Sequence, residues 1–259
     1  MKHKILLATD TKADINYLLE DLFSLLNKSH QKYVSAYSPF NTQSERLTVP
    51  SSKQLEKRNQ GLALQLVQID DQLRLAEKAK TYNFEFDLIS DLKNFSQLRR
   101  LSKICDLLVW DQSALKETDV DVLLETLDAV ECSVLLLPEN WTVKSLVLPY
   151  DNSMNTIRMV KSFLSLFNLD LRKQPLSVLV NYPEDTGQIE SEKVFIDYLK
   201  LFFEDMGIQL MPDSKTSCLE NRPAWDCHDP FFLVGKNDAD NKELLTNRGQ
   251  GRPVFIFNG

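Results

Sequence analysis

The stretch Lys4-Ile5-Leu6-Leu7-Ala8-Thr9-Asp10 returns near the middle of the chain as Ser145-Leu146-Val147-Leu148-Pro149-Tyr150-Asp151. Each copy is a short apolar run that ends in an aspartate, and each is followed by apolar residues at helical spacing. A strand that leads into a helix therefore occurs twice, which indicates two copies of one α/β unit. We predict two domains, residues 1–141 and 142–259, each within the common size range of domains.

Outward from the two repeats, the apolar pattern predicts five strands in each half, separated by helices rather than by tight turns. The predicted strands are Lys4–Asp10, Tyr33–Tyr37, Phe84–Ile89, Asp106–Trp110 and Ser133–Leu137, then Ser145–Tyr150, Leu176–Asn181, Ile208–Met211, Phe231–Val234 and Pro253–Phe257. The predicted helices cover residues 15–26, 62–80, 92–104, 120–130, 155–169, 191–206 and 242–245. Strands joined by helices become parallel neighbours through right-handed crossovers. The sequence thus predicts an α/β fold with two open, mainly parallel five-stranded sheets flanked by helices.

Composition limits the classes of partner. The chain of 259 residues is 43% hydrophobic and 26% charged, which is ordinary for a globular protein. Its net charge of −7, without a dense block of Lys or Arg, offers no surface that would hold a phosphate backbone. We therefore expect no nucleic acid partner.

The amino-terminal sequence bears on location. The apolar run after Met1-Lys2-His3-Lys4 is too short for the hydrophobic region of a signal peptide, and no apolar run is long enough to cross a membrane. We expect a cytoplasmic protein without a membrane partner. The four cysteines Cys105, Cys132, Cys218 and Cys227 are then predicted to be reduced thiols, because a core of this size needs no disulfide framework.

Several of these features together resemble a known family. A first strand that ends in aspartate, the sequence Asp151-Asn152-Ser153 before a helix, and the terminal strand Pro253–Phe257 are similar to the universal stress protein family in a tandem, two-domain form. The resemblance implies a Rossmann-like sheet of the adenine nucleotide alpha hydrolase type. It also implies a role in a stress response.

The chain departs from that family where ATP would bind. ATP-binding members resemble one another in a Gly-x2-Gly-x9-Gly-Ser/Thr pattern after the fourth strand, whose bare backbone lets phosphates approach a helix N-terminus. The first half has Asp111-Gln112-Ser113-Ala114 at the start of this pattern. In the second half Gly235 matches the first glycine, but Asp238 and Arg248-Gly249 occupy the later positions. These replacements disfavour ATP or another adenine nucleotide as a cofactor.

Candidate ligand-binding residues lie where the strands end. The crevice at the carboxyl ends of parallel strands is the usual binding place in an open α/β sheet, and we expect Asp10, Thr11, Asp151, Ser153 and Gly235 to line it. The resemblance implies that the two aspartates lie near a nucleoside. An equally weighted interpretation is that a strand-ending aspartate caps the helix that follows it.

Metal binding and catalysis have little support in the sequence. Cys218, Cys227 and His228 have the spacing Cys-x8-Cys-His, which matches no standard zinc pattern, so we predict no metal. The other histidines are His3 and His30, and no Gly-x-Ser-x-Gly, His-Glu-x-x-His or Walker motif occurs. We therefore predict no catalytic residues.

Three functions remain as hypotheses. The favoured one is a non-enzymatic stress-response protein that binds a small ligand or a protein partner; the others are an ATP-binding member with slow hydrolysis and a degenerate dimerisation scaffold. For assembly, we predict that the two fifth strands, Ser133–Leu137 and Pro253–Phe257, pair within one chain as an internal pseudo-dimer, because an unpaired strand edge is a liability. A homodimer is also left open.

Overall fold

A computed structural model describes residues 2–9, 15–37, 83–89, 92, 94–112, 120–138, 141–181, 186–211, 229–236 and 252–259. In the first half of the chain the elements are β1 (Lys2–Ala8), α1 (Ile15–Leu25), β2 (Gln31–Tyr37), β3 (Phe84–Leu88), α2 (Phe95–Ser102), β4 (Leu107–Asp111), α3 (Val120–Ala129) and β5 (Ser133–Leu137). In the second half they are β6 (Ser145–Tyr150), α4 (Met154–Leu166), a 3₁₀ helix (Leu169–Lys173), β7 (Leu176–Asn181), α5 (Thr186–Leu199), β8 (Met206–Met211), β9 (Pro230–Gly235) and β10 (Val254–Phe257).

The chain divides into two structural units. The first contains Met1–Ser24 and Lys28–Val134, and the second contains Leu25–Asn27 and Leu135–Gly259, so that the division falls within β5. The boundary predicted from the sequence, between residues 141 and 142, lies a few residues further along the chain. The domain boundary between residues 141 and 142 stays a prediction.

The strands of the first half have the order β3-β2-β1-β4-β5. β1 pairs in parallel with both β2 and β4, and β2 pairs in parallel with β3. Residues Ile5–Ala8 of the central strand are completely buried, as expected for a strand with helices on both faces of its sheet. The near-continuous apolar sequence of β1 is therefore the direct cause of its central position.

The second half repeats this order as β10-β9-β6-β7-β8. β6 pairs in parallel with β7 and β9, β7 pairs with β8, and β9 pairs with β10. The chain leaves β6 toward β7 on one side and later returns to β9 on the other side, so the strand order reverses between β6 and β9. Such a reversal opens a crevice at the carboxyl ends of the strands.

Aromatic side chains fill the core of the second unit. Phe163 lies on α4 and Phe167 directly follows this helix, and their ring centroids are 4.8 Å apart. Phe167 meets Phe231 of β9 and Phe255 of β10 edge to face, at centroid distances of 5.5 and 5.3 Å. All four rings are buried, and each contributes roughly 1.5–3 kcal/mol of transfer free energy. The contacts of Phe163 and Phe167 with these rings thus hold the carboxyl end of α4 against the sheet.

Most predicted strands are found with boundaries shifted by two residues or fewer, and Ser133–Leu137, Ser145–Tyr150 and Leu176–Asn181 agree at both ends. The helix predicted at 191–206 is wrong in its position, because α5 spans Thr186–Leu199. The backbone N–H groups of Phe202 and Phe203 both bond to the carbonyl of Leu199, which closes the helix in a turn. The apolar residues after Leu199 had suggested a longer helix. The helices predicted at 62–80 and 242–245 lie outside the described residues.

None of the helices within the described ranges combines the length and the apolar character needed to span a bilayer.

Candidate functional site

The turn between β6 and α4 is built by hydrogen bonds from its own residues. Asn152 adopts a left-handed conformation with φ of 60°, which asparagine tolerates better than most residues. Asp151 Oδ1 accepts hydrogen bonds from the backbone N–H of Ser153 at 3.0 Å and from Thr156 Oγ1 at 2.6 Å. Ser153 is the N-cap of α4, and its Oγ accepts a hydrogen bond from the backbone N–H of Thr156. The sequence Asp-Asn-Ser therefore begins the helix through capping chemistry.

Asp151 is held in its charged form. Desolvation raises the pKa of its carboxyl, but the hydrogen bonds from Thr156 and Ser153 together outweigh this effect, so that the pKa lies below its ordinary value. A carboxylate at neutral pH is the stronger hydrogen-bond acceptor. The interpretation of Asp151 as a capping residue is thus supported by its contacts.

Tyr150, the last residue of β6, supports the same turn. Its ring stacks on Phe195 of α5 with a centroid distance of 4.3 Å and an interplanar angle of 13°. Its hydroxyl donates a hydrogen bond to Asn152 Oδ1 at 2.8 Å. Desolvation, followed by the nearby carboxylates of Glu192 and Asp151, raises the pKa of this hydroxyl, so it stays a donor at neutral pH. Tyr150 therefore holds the left-handed residue in place.

Beside this turn lies a cavity of about 160 Å³ at the carboxyl ends of β6, β7, β9 and β10. Its polar lining includes Asp151, Ser153, Asn155, Thr156, Asn181, Gly235, Lys236 and Asn258. Its apolar lining includes Pro149, Met159 and Phe257. The cavity therefore occupies the crevice at the strand-order reversal, and it presents side chains of both charge signs together with several amides.

The structure brings three of the five predicted site residues together. Asp151, Ser153 and Gly235 all line this cavity. Asp10 and Thr11 lie outside the described residues. A ligand-binding role for the five residues stays a prediction.

Five polar residues of the cavity were not predicted from the sequence. Asn155 and Thr156 lie in the first turn of α4. The other three lie at strand ends: Asn181 ends β7, Lys236 follows β9, and Asn258 follows β10. A simple rule, that the residue at the carboxyl end of each parallel strand lines the crevice, would have found them.

The corresponding strand ends in the first unit are occupied by a buried polar pair. Thr9, just after β1, donates a hydrogen bond from Oγ1 to Asp111 Oδ2 at 3.0 Å, and both residues are buried. Asp111 ends β4, at the position where the family's phosphate loop begins with glycine. A phosphate near this strand end would therefore meet a carboxyl side chain instead of bare backbone.

Metal-ligating and thiol groups give no further site among the described residues. No cluster of three or more His, Cys, Asp or Glu side chains that could hold a metal ion occurs there, and Cys218, Cys227 and His228 lie outside them. Cys105 and Cys132 are free thiols in buried positions. Burial raises the pKa of Cys105 to about 11 and that of Cys132 to about 12, which makes both poor nucleophiles.

Comparison with known proteins relates the chain to solved structures only, because neither a family model nor a curated protein sequence matches it. A universal stress protein from Archaeoglobus fulgidus DSM 4304 superposes with a TM-score of 0.66 at 12% identity, covering 98% of this chain and 96% of that one. The cytoplasmic domain of a prokaryotic cation chloride cotransporter superposes with a TM-score of 0.50 at 11% identity, covering 99% and 95%. At such identities the likeness concerns the fold. The chain has the α/β fold of the universal stress proteins, as the sequence predicted.

Proposed function

We propose that this protein is a non-enzymatic, universal-stress-type protein whose second unit binds a small polar molecule. The observation that carries the proposal is the cavity at the carboxyl ends of β6, β7, β9 and β10. Open α/β sheets bind their ligands in this crevice, next to the point where the strand order reverses.

The lining of the cavity suggests the class of ligand. Asp151 and Lys236 supply opposite charges, and the amides of Asn155, Asn181 and Asn258 supply both donors and acceptors. A ligand that is zwitterionic, or uncharged with several hydrogen-bonding groups, fits this set better than a strongly charged one.

The size of the cavity suggests the size of the ligand. A cavity of roughly 150 Å³ holds one benzene molecule, so about 160 Å³ suits a molecule of roughly six to ten non-hydrogen atoms. Sites for larger ligands generally measure about 300–1,000 Å³. The size therefore favours a molecule comparable with an amino acid or a nucleobase over a nucleoside triphosphate.

Two further observations indicate that ATP would bind weakly, if it binds. The β4 end of the first unit has the buried carboxyl of Asp111, which already accepts a hydrogen bond from Thr9. In the sequence of the second half, Asp238 replaces the second glycine of the family pattern. Carboxylates at these positions oppose phosphate groups, whose binding needs donors.

A role in a stress response belongs to the same proposal. It is supported by the name of the Archaeoglobus fulgidus neighbour, a universal stress protein, whose fold covers nearly the whole of this chain. A ligand taken up under stress would bind to the second unit.

Native mass spectrometry of the freshly purified full chain tests the proposal. We expect an added mass that corresponds to a small polar molecule rather than to an adenine nucleotide. Lys236→Met, which changes the lining, should reduce the bound fraction by about tenfold, because a charged hydrogen bond contributes about 1.5–3 kcal/mol. The matched control is Lys200→Met, which replaces an exposed lysine that does not line the cavity.

The other hypotheses have their own outcomes in this experiment. A copurified adenine nucleotide, or a calorimetric dissociation constant for magnesium ATP in the low micromolar range or below, would favour the ATP-binding alternative and contradict the proposal. A purified chain that carries no ligand, in both the parent and the Lys236→Met form, would favour the dimerisation scaffold.

A further inference from the structure

In each half, one end of the strand order is a strand that pairs with a single other strand among the described residues. β3 pairs with β2, and β8 pairs with β7. The outer side of such a strand presents backbone N–H and C=O groups that another strand can bind. The sequences of the two end strands differ in a way that bears on self-association.

β3 carries charges that oppose pairing with its own copy. In Phe84-Glu85-Phe86-Asp87-Leu88 the two acidic side chains are exposed and lie on the same face, and Glu85 accepts a hydrogen bond from Gln31 Nε2 at 3.0 Å. Two copies of β3 placed side by side would bring these like charges together, which destabilises a strand pair. Acidic residues at alternate positions are a common protection of a sheet edge.

β8 has no such protection. Its sequence Met206-Gly207-Ile208-Gln209-Leu210-Met211 contains neither charge nor proline. Ile208 is 54% exposed and Leu210 is 50% exposed, whereas their neighbours Val178 and Val180 on β7 are buried. A side-chain carbon placed on Gly207 would meet no atom within 4 Å, so the sheet face opposite to Ile208 and Leu210 is also open at this residue. The apolar row of the sheet thus continues onto an accessible strand.

We propose that β8 pairs antiparallel with β8 of a second copy of this chain. Because the strand is uncharged, a copy of itself meets no like charge there, which makes the strand self-complementary where β3 is self-repelling.

The alternation of side chains defines the register of this pairing. Met206, Ile208 and Leu210 lie on one face of β8. A twofold axis at Ile208 places this residue opposite Ile208 of the second copy, and it places Met206 opposite Leu210. Three apolar cross-strand pairs then form on one face, with Gly207 opposite Gln209 on the other. A shift by one residue would place apolar side chains opposite polar ones on the wrong face.

The strength of the association follows from its size. One pair of six-residue strands buries much less than the about 1,600 Å² of a standard interface. We therefore expect a weak dimer whose population rises with protein concentration.

Sedimentation of the full chain from about 10 to about 500 micromolar tests the association. The parent protein should shift from monomer toward dimer across this range, and Ile208→Lys should remain monomeric, because two ammonium groups would meet at the axis. The control Val194→Lys, at an exposed apolar position on α5 rather than on an end strand, should sediment like the parent. Since Ile208 is half exposed, its replacement should leave the thermal melt close to that of the parent.

A cross-linking experiment tests the register. In a Cys218→Ser/Cys227→Ser background, Ile208→Cys should form an intermolecular disulfide under mild oxidation, because directly opposed residues have Cβ atoms roughly 4.5–5.5 Å apart. Val194→Cys, an exposed position on α5, should form no intermolecular disulfide in the same background, because α5 does not take part in the proposed pairing. A parent protein that is monomeric throughout, an Ile208→Lys variant that dimerises like the parent, or equal cross-linking of the two cysteine variants would each overturn the proposal.

Discussion

At the amino ends of β1, β2 and β4, polar side chains contact one another, whereas at the carboxyl ends of β6, β7, β9 and β10 they surround a cavity. In the first region His3 Nε2 lies 2.9 Å from His30 Nδ1, and His3 Nδ1 lies 3.4 Å from Asp106 Oδ2. Lys32, although buried, donates to the backbone carbonyl of His30 at 2.8 Å. We call these four residues, His3, His30, Lys32 and Asp106, the histidine cluster.

The cavity of the second unit is organised differently. The Oδ1 atom of Asp151 accepts hydrogen bonds within the turn, and Lys236, Asn181 and Asn258 line the cavity beside it. The cavity leaves room for another molecule among polar groups, whereas the polar groups at the amino ends of β1, β2 and β4 lie in contact with one another. Titratable residues that lie close together therefore do not by themselves indicate a binding site. A cavity beside such residues is the stronger indication.

The largest effect is expected from a deletion that removes one wall of the cavity and no residue of the histidine cluster. Deleting residues 253–259 removes β10 and the three lining residues Phe257, Asn258 and Gly259. The exposed side of β9 should then lower the solubility and stability of the second unit. If the predicted pairing of the two fifth strands is correct, the first unit should be destabilised as well.

Hydrogen exchange measures this effect in each unit. The amides of β1 should exchange faster after the deletion, and a shorter deletion of residues 258–259, which keeps β10, is the matched control. A truncated chain that stays soluble, with unchanged protection of β1, would show that the two halves do not depend on pairing of the fifth strands.

The second prediction concerns the aromatic core between α4 and strands β9 and β10. Phe163→Ala should lower the free energy of unfolding by about 3–5 kcal/mol, because it leaves a hole among the rings of Phe167, Phe231 and Phe255. Urea unfolding followed by circular dichroism measures this change. Met154→Ala, at a 62% exposed position on the same helix, should change it by about 0.5 kcal/mol or less. A similar loss in both variants would contradict the assignment of Phe163 to the core.

Much of this fold could be predicted because its signals are local. Apolar strands such as Ser133–Leu137 and Leu176–Asn181 are bounded by polar residues, and the repeat of β1 as β6 gave the two halves. The end of α5 at Leu199 could not be predicted, since Phe202 and Phe203 continue the apolar pattern although their backbone N–H groups close a turn on the carbonyl of Leu199.

The candidate site could be predicted only in part. Asp151 and Ser153 have a local signal, the capping sequence at the start of a helix. Lys236 and Asn181 have the weaker signal of lying at the ends of strands, and the sequence does not show that these two strand ends meet at the same crevice. The contact of His3 with His30 and Asp106 likewise arises from the pairing of β1 with β2 and β4, which the spacing of these residues in the sequence does not reveal.

The third prediction tests the structural role of the turn. Ser153→Ala removes the side chain that caps α4 and should lower the free energy of unfolding by about 1 kcal/mol. The control Ser191→Ala, within α5, should change it by about 0.5 kcal/mol or less. Urea unfolding of both variants makes the comparison. Equal stability of the two would contradict the capping role of Ser153.

The smallest predicted effect is a dependence of stability on pH that originates in the histidine cluster. Desolvation first, then the positive charges of His3, the amino terminus and Lys32, lowers the pKa of His30 below its ordinary value of about 6.5. Below that value the unfolded chain binds a proton at His30 more readily than the folded chain does. Stability should therefore fall as the pH decreases from about 6.5 toward the folded pKa.

A second loss should follow at lower pH. The contact with His3 lowers the pKa of Asp106, desolvation raises it, and the backbone N–H of Lys4, which bonds to Oδ2 at 2.9 Å, lowers it again, with a net decrease. This carboxylate stabilises the fold above its unfolded pKa of about 4, and the contribution disappears as the pH falls through the folded pKa. The two residues thus act in separate pH windows.

Thermal melts between pH 7.5 and pH 5.5, a range that spans roughly one unit on each side of the ordinary histidine pKa, isolate the first of these windows. His30→Asn cannot titrate there, so its melting temperature should change less with pH than that of the parent. His228→Asn is the matched control, since His3, His30 and His228 are the three histidines of the chain. If the acid-induced loss of stability persists in His30→Asn and disappears in His228→Asn, the titrating group lies outside the histidine cluster. The pH dependence of stability would then not originate in the histidine cluster, and this part of the comparison with the cavity would be wrong.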